Sequence, residues 1–333
     1  MITDEIMSKT NTKIFKQLDK GGEYLLCTSY SQIDTYLQCP NKWKLTYLLG
    51  YRKPEESEAL SLGSSIHETL EYYFNSRKDG KELTIAETLN GFEDKIREHN
   101  VPWTSDKTKE QAMNQHYNTL TGLASGDSKL AHFMDDKEVV ACEKDFRLHF
   151  HLPFDICFAG EVISDIYIIG AIDFIVKDHD GNLYVVDFKS GKKPFNGTKI
   201  KHNLQLPIYS LVVLNMYGRL PVSTQYYFTR LDLFQSVEKL AMTEDSARKE
   251  YYKYGKKQGQ LKYQQRTVHD IEAELIDIFR DQYTNTEYKP KPTPLCSWCN
   301  FGKYYGDGKC NYAMHYRRKD KKENKMRNAI LIK

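Results

Sequence analysis

The chain has 333 residues, with 48 Lys plus Arg against 45 Asp plus Glu and a formal net charge of +3. That length can bury a sizeable core as one large domain or two. The near-balance of charge excludes a globally basic nucleic-acid binder, so any basic surface must be local. No apolar run reaches membrane-spanning length, and the opening MITDEIMSKTNTK lacks a signal-peptide core. A soluble, intracellular, cytoplasmic protein with no membrane partner is expected. Its seven cysteines then argue for packing and metal ligation rather than a disulfide framework.

Residues 1–27 are polar and read as a flexible N-terminal arm. A helix is expected over 29–49, with Ser29 or Ser31 as cap and Ile33, Tyr36, Leu37, Trp43, Tyr47 and Leu48 at helical spacing. Pro40 breaks or restarts it. A second helix over 61–77 buries Ile66, Leu70, Tyr73 and Phe74. Residues 84–125 read as polar and helical, and strands are expected over 138–150 and 155–163. The apolar run Gly170–Val176 carries Asp173, the turn Asp178–Asn182 follows, and Leu183–Val186 leads into Asp187, Phe188 and Lys189. Two apolar runs joined by a Gly-containing turn form a hairpin, here over 166–176 and 182–190. A helix over 199–217 presents Leu204, Ile208, Leu211, Val212 and Met216, with Pro207 tolerable only near its start. A strand is expected over 222–230, a charged helical region over 243–283, and an extended connection around Pro290, Pro292 and Pro294. The run from Arg317 to Arg327 suits a DNA backbone, although such runs are more often solvated ends. The order of helix, strands, helix and strand makes the fold α/β.

Residues two apart on a strand share a face, so Asp187 and Lys189 point together and Phe188 into the opposite layer. Two carboxylates on neighbouring strands with a lysine can hold a divalent cation beside an attacking water, as phosphodiester hydrolysis requires. The bland alternative is a solvated hairpin face with a surface lysine. His67, followed by Glu68 and Glu71, is a candidate ligand or a satisfied core histidine. Gln205 and Tyr209 lie four apart on one helix face, near the site or simply buried and hydrogen-bonded. Cys296 and Cys299 form a CxxC, Cys310 follows and Cys39 lies far upstream. Four thiolates suit a [4Fe–4S] cluster or tetrahedral zinc, the third option being no metal. Cys27, Cys142 and Cys157 lie in apolar or strand-like settings and read as packing residues.

The hairpin with its DxK resembles the PD-(D/E)xK nuclease superfamily, and its surroundings resemble the RecB-like exonuclease branch. Ser29–Pro40 resembles that branch's opening helix and Cys-Pro, Gly63–Glu71 its GxxxHxxLE helix, and Gln205–Tyr209 its QxxxY motif. Cys296, Cys299 and Cys310 resemble the C-terminal cysteines of cluster-bearing members, although the step from Cys299 to Cys310 is longer than usual there. The resemblance implies a restriction-endonuclease-like αβββαβ core over 28–315, with a helical insert at about 84–125, a cysteine-bearing segment at 290–315 and a basic tail at 316–333. It implies Asp173, Asp187, Lys189, Gln205 and Tyr209 as catalytic residues. His67, Asp173, Asp187 and the Phe188 carbonyl would hold Mg²⁺ or Mn²⁺. Cys39, Cys296, Cys299 and Cys310 would hold the cluster. The implied activity is exonucleolytic hydrolysis of DNA with single-stranded or free ends, in recombination, repair or phage DNA processing. No GxxxxGK[ST] loop is present, so a helicase or recombination partner would supply any motor. The alternatives are an inactive DNA-binding or assembly module on the same scaffold, or a structure-selective nuclease acting on RNA.

Overall fold

The structure, a computed structural model, describes residues 14–17, 24–51, 57–158, 161–196, 200, 203–236, 242–302, 306–310, 313–317 and 328–332. The helices are α1 Tyr30–Gln38, α2 Pro40–Trp43, α3 Glu58–Lys78, α4 Ile85–Glu98, α5 Asp106–Ser125, α6 Lys129–Phe133, α7 Gln205–Tyr217 and α8 Val268–Thr284. The strands are β1 Phe15–Gln17, β2 Tyr24–Thr28, β3 Lys137–Phe158, β4 Glu161–Asp178, β5 Leu183–Lys189, β6 Ser223–Phe228, β7 Leu233–Ser236, β8 Lys249–Tyr251, β9 Leu261–Gln264, β10 Ala313–Arg317 and β11 Asn328–Ile332. The succession α3, β3, β4, β5, α7, β6 is the expected αβββαβ order, and the fold is mixed α/β of the restriction-endonuclease type. Two compact units form: Met1–Pro54, His149–Ile168 and Leu275–Lys333 make one, and Glu55–Leu148 with Ile169–Glu274 the other.

In the second unit, β4 and β5 are antiparallel, with Phe174 opposite Val186 and Val176 opposite Tyr184. The turn between them is held by Asp178, whose Oδ1 accepts from the Asn182 amide at 2.8 Å, while Gly181 supplies φ +78°. The β5–β6 pair is parallel, so α7 serves as the crossover, and β7 closes the edge antiparallel to β6. Leu183, Val185, Val186, Asp187 and Phe188 are buried, the near-continuous apolar run of a strand covered on both faces. The covering helix is α3, started by Ser57, whose hydroxyl accepts from the Leu60 amide. Ile66, Leu70 and Phe74 face inward from it, and Phe74 meets Phe174 at 4.2 Å between ring centroids and stacks on Phe188 at 6.4 Å. Each such ring contributes roughly 1.5–3 kcal/mol by burial.

In the first unit, β2 pairs with β1 and runs parallel to β4 through Leu26–Thr28. Ser29 caps α1, Cys39 is extended at φ −163°, and Pro40 restarts the chain as the first residue of α2. Trp43 is fully buried, stacked on Tyr288 at 5.5 Å and edge-on to Tyr36 and Tyr283 at 5.8 Å each. The Tyr36 hydroxyl donates to Asp281 Oδ2 at 2.8 Å, which ties α1 to α8.

Several local expectations change. The helix expected over 29–49 is three pieces, because Cys39 leaves the helical region before Pro40 and Lys44–Leu48 is a π turn. The two strands expected over 138–150 and 155–163 include one long strand, β3. Within 243–283 only α8 is helical; β8 and β9 form a hairpin whose turn carries Gly255 and Gly259 at φ +80° and +78°, too glycine-rich for a helix. Residues 15–17 and 24–27, expected in a flexible arm, lie in strands. Residues 313–317 and 328–332 pair as a hairpin, and the basic run over 318–327 lies outside the described residues. The helix expected from residue 199 begins at Gln205, which makes Pro207 a first-turn residue without an intrahelical donor to lose. No helix among the described residues is long and apolar enough to cross a membrane.

Candidate active site and cysteine cavity

The site lies in the second unit, where α3 crosses the ends of β4 and β5. Asp173 and Asp187 are both buried. The Phe188 N–H donates to Asp173 Oδ2 at 2.7 Å, so the backbone of β5 fixes the carboxyl on β4. His67 reaches down from α3 and donates from Nε2 to the Phe188 carbonyl at 2.9 Å. That bond orients the ring, leaving Nδ1 at 3.4 Å from Asp173 Oδ2 and 3.6 Å from Glu143 Oε1. The donor atoms of His67, Glu143 and Asp173 all lie within 4.8 Å of one another. Burial alone would lower the His67 pKa, but the carboxylates of Asp173, Glu143 and Asp187 outweigh it and carry it up to about 9. Burial, followed by the Asp187 carboxylate, pushes Asp173 up to about 7 against the opposing pull of His67 and Lys189. An acid raised by burial and like charge, next to an imidazole raised by carboxylates, is a site short of positive charge.

Asp187 is held differently. Its Oδ1 accepts from Gln205 Nε2 at 2.7 Å, and its Oδ2 faces the Lys189 ammonium in an ion pair without hydrogen-bond alignment. Gln205 Nε2 also reaches the Tyr209 hydroxyl at 3.1 Å. Tyr226, on β6, donates to Asn203 Oδ1 at 2.6 Å, and Asn203 Oδ1 accepts from the Gln205 amide at 2.9 Å at the start of α7. The Lys189 ammonium lies 5.3 Å from the Tyr226 ring centroid. Tyr209 is buried, and burial with the two aspartates raises its hydroxyl well above the usual tyrosine range, so it stays a phenol.

His67, Asp173, Asp187, Phe188, Lys189, Gln205 and Tyr209 therefore converge. Glu68, next to His67 in sequence, is engaged elsewhere: its carboxylate accepts from His99 at 2.7 Å and pairs with Lys95 at 3.2 Å on the neighbouring helix. Sequence reasoning missed Glu143, Asn203 and Tyr226. Glu143 carries φ +43°, sparsely populated by a residue with a side chain, and this kink in β3 turns its carboxylate toward His67. The only sequence signal is the failure of alternation before Phe146.

The first unit holds the second constellation. Cys39, Cys296, Cys299 and Cys310 line one cavity of about 650 Å³. Cys39 Sγ accepts from the Lys291 amide, Cys296 Sγ from the Thr293 amide, and Cys310 Sγ from the Asn41 side chain, each at 3.4 Å. Gly302 permits the loop to close: a Cβ there would stand 3.0 Å from the Cys296 carbonyl oxygen. Cys27 is buried as expected, whereas Cys157 is exposed, because it falls on the outward phase of β3 between buried Ile156 and Phe158.

Two buried aspartates on a hairpin, a lysine two residues on, and a histidine and glutamate share one site, in which the donor atoms of His67, Glu143 and Asp173 could hold a metal ion. The model of the PD-(D/E)XK nuclease superfamily matches residues 28–304, and the chain belongs to that superfamily. Its members use divalent metals, and the acidic group around Asp173 fits one. The chain is also 26% identical over 227 residues to a subunit of the ATP-dependent helicase/deoxyribonuclease in three Clostridium perfringens strains, SM101, ATCC 13124 and 13. Those matches cover 58% of this chain and 18% of each relative, so the chain spans under a fifth of their length.

Proposed function

We propose that this protein is a metal-dependent DNA exonuclease acting on single-stranded or free-ended DNA. The observation that carries the reading is the convergence of Asp173, Asp187, Lys189, Gln205 and His67 within one site of a nuclease fold. Asp173, Asp187, His67 through Nδ1, and the Phe188 carbonyl are the proposed ligands of Mg²⁺ or Mn²⁺, with Glu143 added by geometry. A bound cation would lower the pKa of the attacking water and offset charge on the phosphate. His67 serves through orientation, since its Nε2–H on the Phe188 carbonyl keeps Nδ1 facing the carboxylates. Gln205 fixes Asp187, Tyr209 supports Gln205, and Lys189 is placed to stabilise developing charge on phosphate oxygens. An imidazole in the donor set favours Mn²⁺ over Mg²⁺ at equal concentration. The likeness to a helicase/deoxyribonuclease subunit supports DNA as substrate and a helicase as partner.

The four cysteines are proposed to hold a [4Fe–4S] cluster. All four line one cavity, and three of their sulfurs accept N–H donors. The test is anaerobically purified protein incubated with end-labelled linear DNA, single- and double-stranded, and with closed circles, in Mg²⁺, Mn²⁺ or EDTA. Release of nucleotides from ends, absent on circles and in EDTA, is expected. Cleavage of circles would make it an endonuclease, and EDTA-resistant cleavage would remove the metal.

A further inference from the structure

Arg230 stands out as a buried charge that makes no direct ion pair among the described residues, the nearest acid to act on it being Glu58. It lies two residues beyond the end of β6, where Phe228 pairs with Lys189 and the Thr229 amide donates to the Lys189 carbonyl at 2.9 Å. The side chain is only 6% exposed. Its Nε donates to Gln115 Oε1 at 2.8 Å, and its Nη2 is buried with no partner. No carboxylate among the described residues pairs with it. Asp232 is committed to the Lys129 amide and the Tyr227 hydroxyl. Glu58, the acid close enough to act on Arg230, is bound to the Thr104 amide and the Thr108 hydroxyl at the start of α5. Lys192, three residues beyond Lys189, is also near Glu58 and adds positive charge. Guanidinium remains protonated in proteins, and a buried cation without an anion costs far more than one in water. Burial accordingly lowers the Arg230 pKa. A residue held at this cost beside a nuclease centre is a place for an anionic ligand.

We propose that Arg230 anchors a phosphate subsite, taking a backbone phosphodiester of the DNA strand adjacent to the one that faces Lys189. The inference rests on the nuclease reading and adds to it where the substrate strand runs: past the end of β6, over Lys189, Lys192 and Arg230. The guanidinium fork matches phosphate geometry, and with Gln115 holding Nε the unpartnered Nη2 is the donor that a phosphate would satisfy once it displaces the cover over that atom. A contact made in a desolvated site counts for more than one on an open surface.

The test is equilibrium binding of a fluorescein-labelled single-stranded oligothymidylate in EDTA over a salt series, with thermal melting of the same full-length proteins. Arg230→Met and Arg230→Gln should weaken binding about tenfold or more and reduce the slope of log K against log salt by about one. Their melting temperatures should equal or exceed that of the native protein, since an unpaired buried charge has been removed. Arg230→Lys should keep the salt slope yet bind less tightly, because it keeps the charge and loses the fork. Unchanged affinity and slope in Met and Gln variants would overturn the proposal. So would a lowered melting temperature in all three, which would make Arg230 a structural residue. Native protein that binds no DNA would instead remove the nuclease reading on which the subsite rests.

Discussion

Asp173 is an acid whose surroundings keep its proton. Its carboxyl is carried up to about 7 in the fold, against about 3.9 in an unfolded chain. The folded state then binds the proton more tightly than the unfolded state between those values. Stability of the metal-free protein therefore falls as pH climbs from about 4 to about 7, and the whole cost is present above that window. Asp173→Asn should abolish cleavage and yet melt several degrees above the native protein at pH 8 without metal, at about 2–4 °C per kcal/mol. The gap should close near pH 4, and Mn²⁺ should raise the native melting temperature alone. Calorimetry at the two pH values checks this, and identical melting at pH 8 would count against it. The same carboxyl makes metal and proton competitors, so the Mn²⁺ concentration for half-maximal cleavage should rise as pH is lowered below about 7. Lys189 calls for a different readout, because its ammonium, paired with Asp187, is proposed to act on the reacting phosphate and not to hold the metal. Lys189→Ala should lower kcat by about 10²–10³, the scale of a lost transition-state donor, with the DNA Kd almost unchanged. A parallel loss of DNA binding would make it a backbone contact.

The elements that carry the site differ in how openly the sequence announces them. The α3 stripe of Ile66, Leu70 and Phe74, the hairpin with its glycine turn, and the pair Gln205 and Tyr209 on α7 all follow from periodicity, turn chemistry and spacing. Glu143 does not, because its role depends on one backbone torsion inside β3, and no local pattern encodes a single residue at φ +43°. Asn203 and Tyr226 are equally hidden, since a hydrogen bond between residues 23 apart is set by the β5–β6 pairing and not by either neighbourhood. Residues 243–267 are ambiguous because charge without apolar stripes fits a surface helix and a surface hairpin alike, and only the glycines discriminate. The support of the site is testable through α3. Phe74, on the helix that carries His67, is fully buried against Phe174 and Phe188. Phe74→Ala should cost about 3–5 kcal/mol by the cavity it leaves, read as a lower urea midpoint. Near-native stability would mean that the helix is held by other contacts.

At the scale of the whole molecule, the sulfur cavity joins residues from opposite ends of the sequence. A ligand shared by Cys39 and the Cys296–Cys310 loop closes a chain segment of more than half the protein, which strongly restricts the unfolded state. Protein prepared without oxygen should be brown, with broad absorbance near about 400 nm, and any of the four Cys→Ser changes should bleach it and expose the C-terminal part to protease. Cys27→Ser, Cys142→Ser and Cys157→Ser should leave the colour. Colourless protein with stoichiometric zinc would reject the cluster and keep the staple. The tryptophans give the cavity its own optical reporter. Trp43 is sealed among tyrosines and Trp103 is partly covered, whereas Trp298, on the cavity wall, is 57% exposed. Its emission should be the red-shifted part of the spectrum of the metal-free protein. An iron–sulfur chromophore beside it absorbs at those wavelengths, so that component should be quenched first as the cluster assembles. Loading of the cavity can thus be followed in real time by light alone.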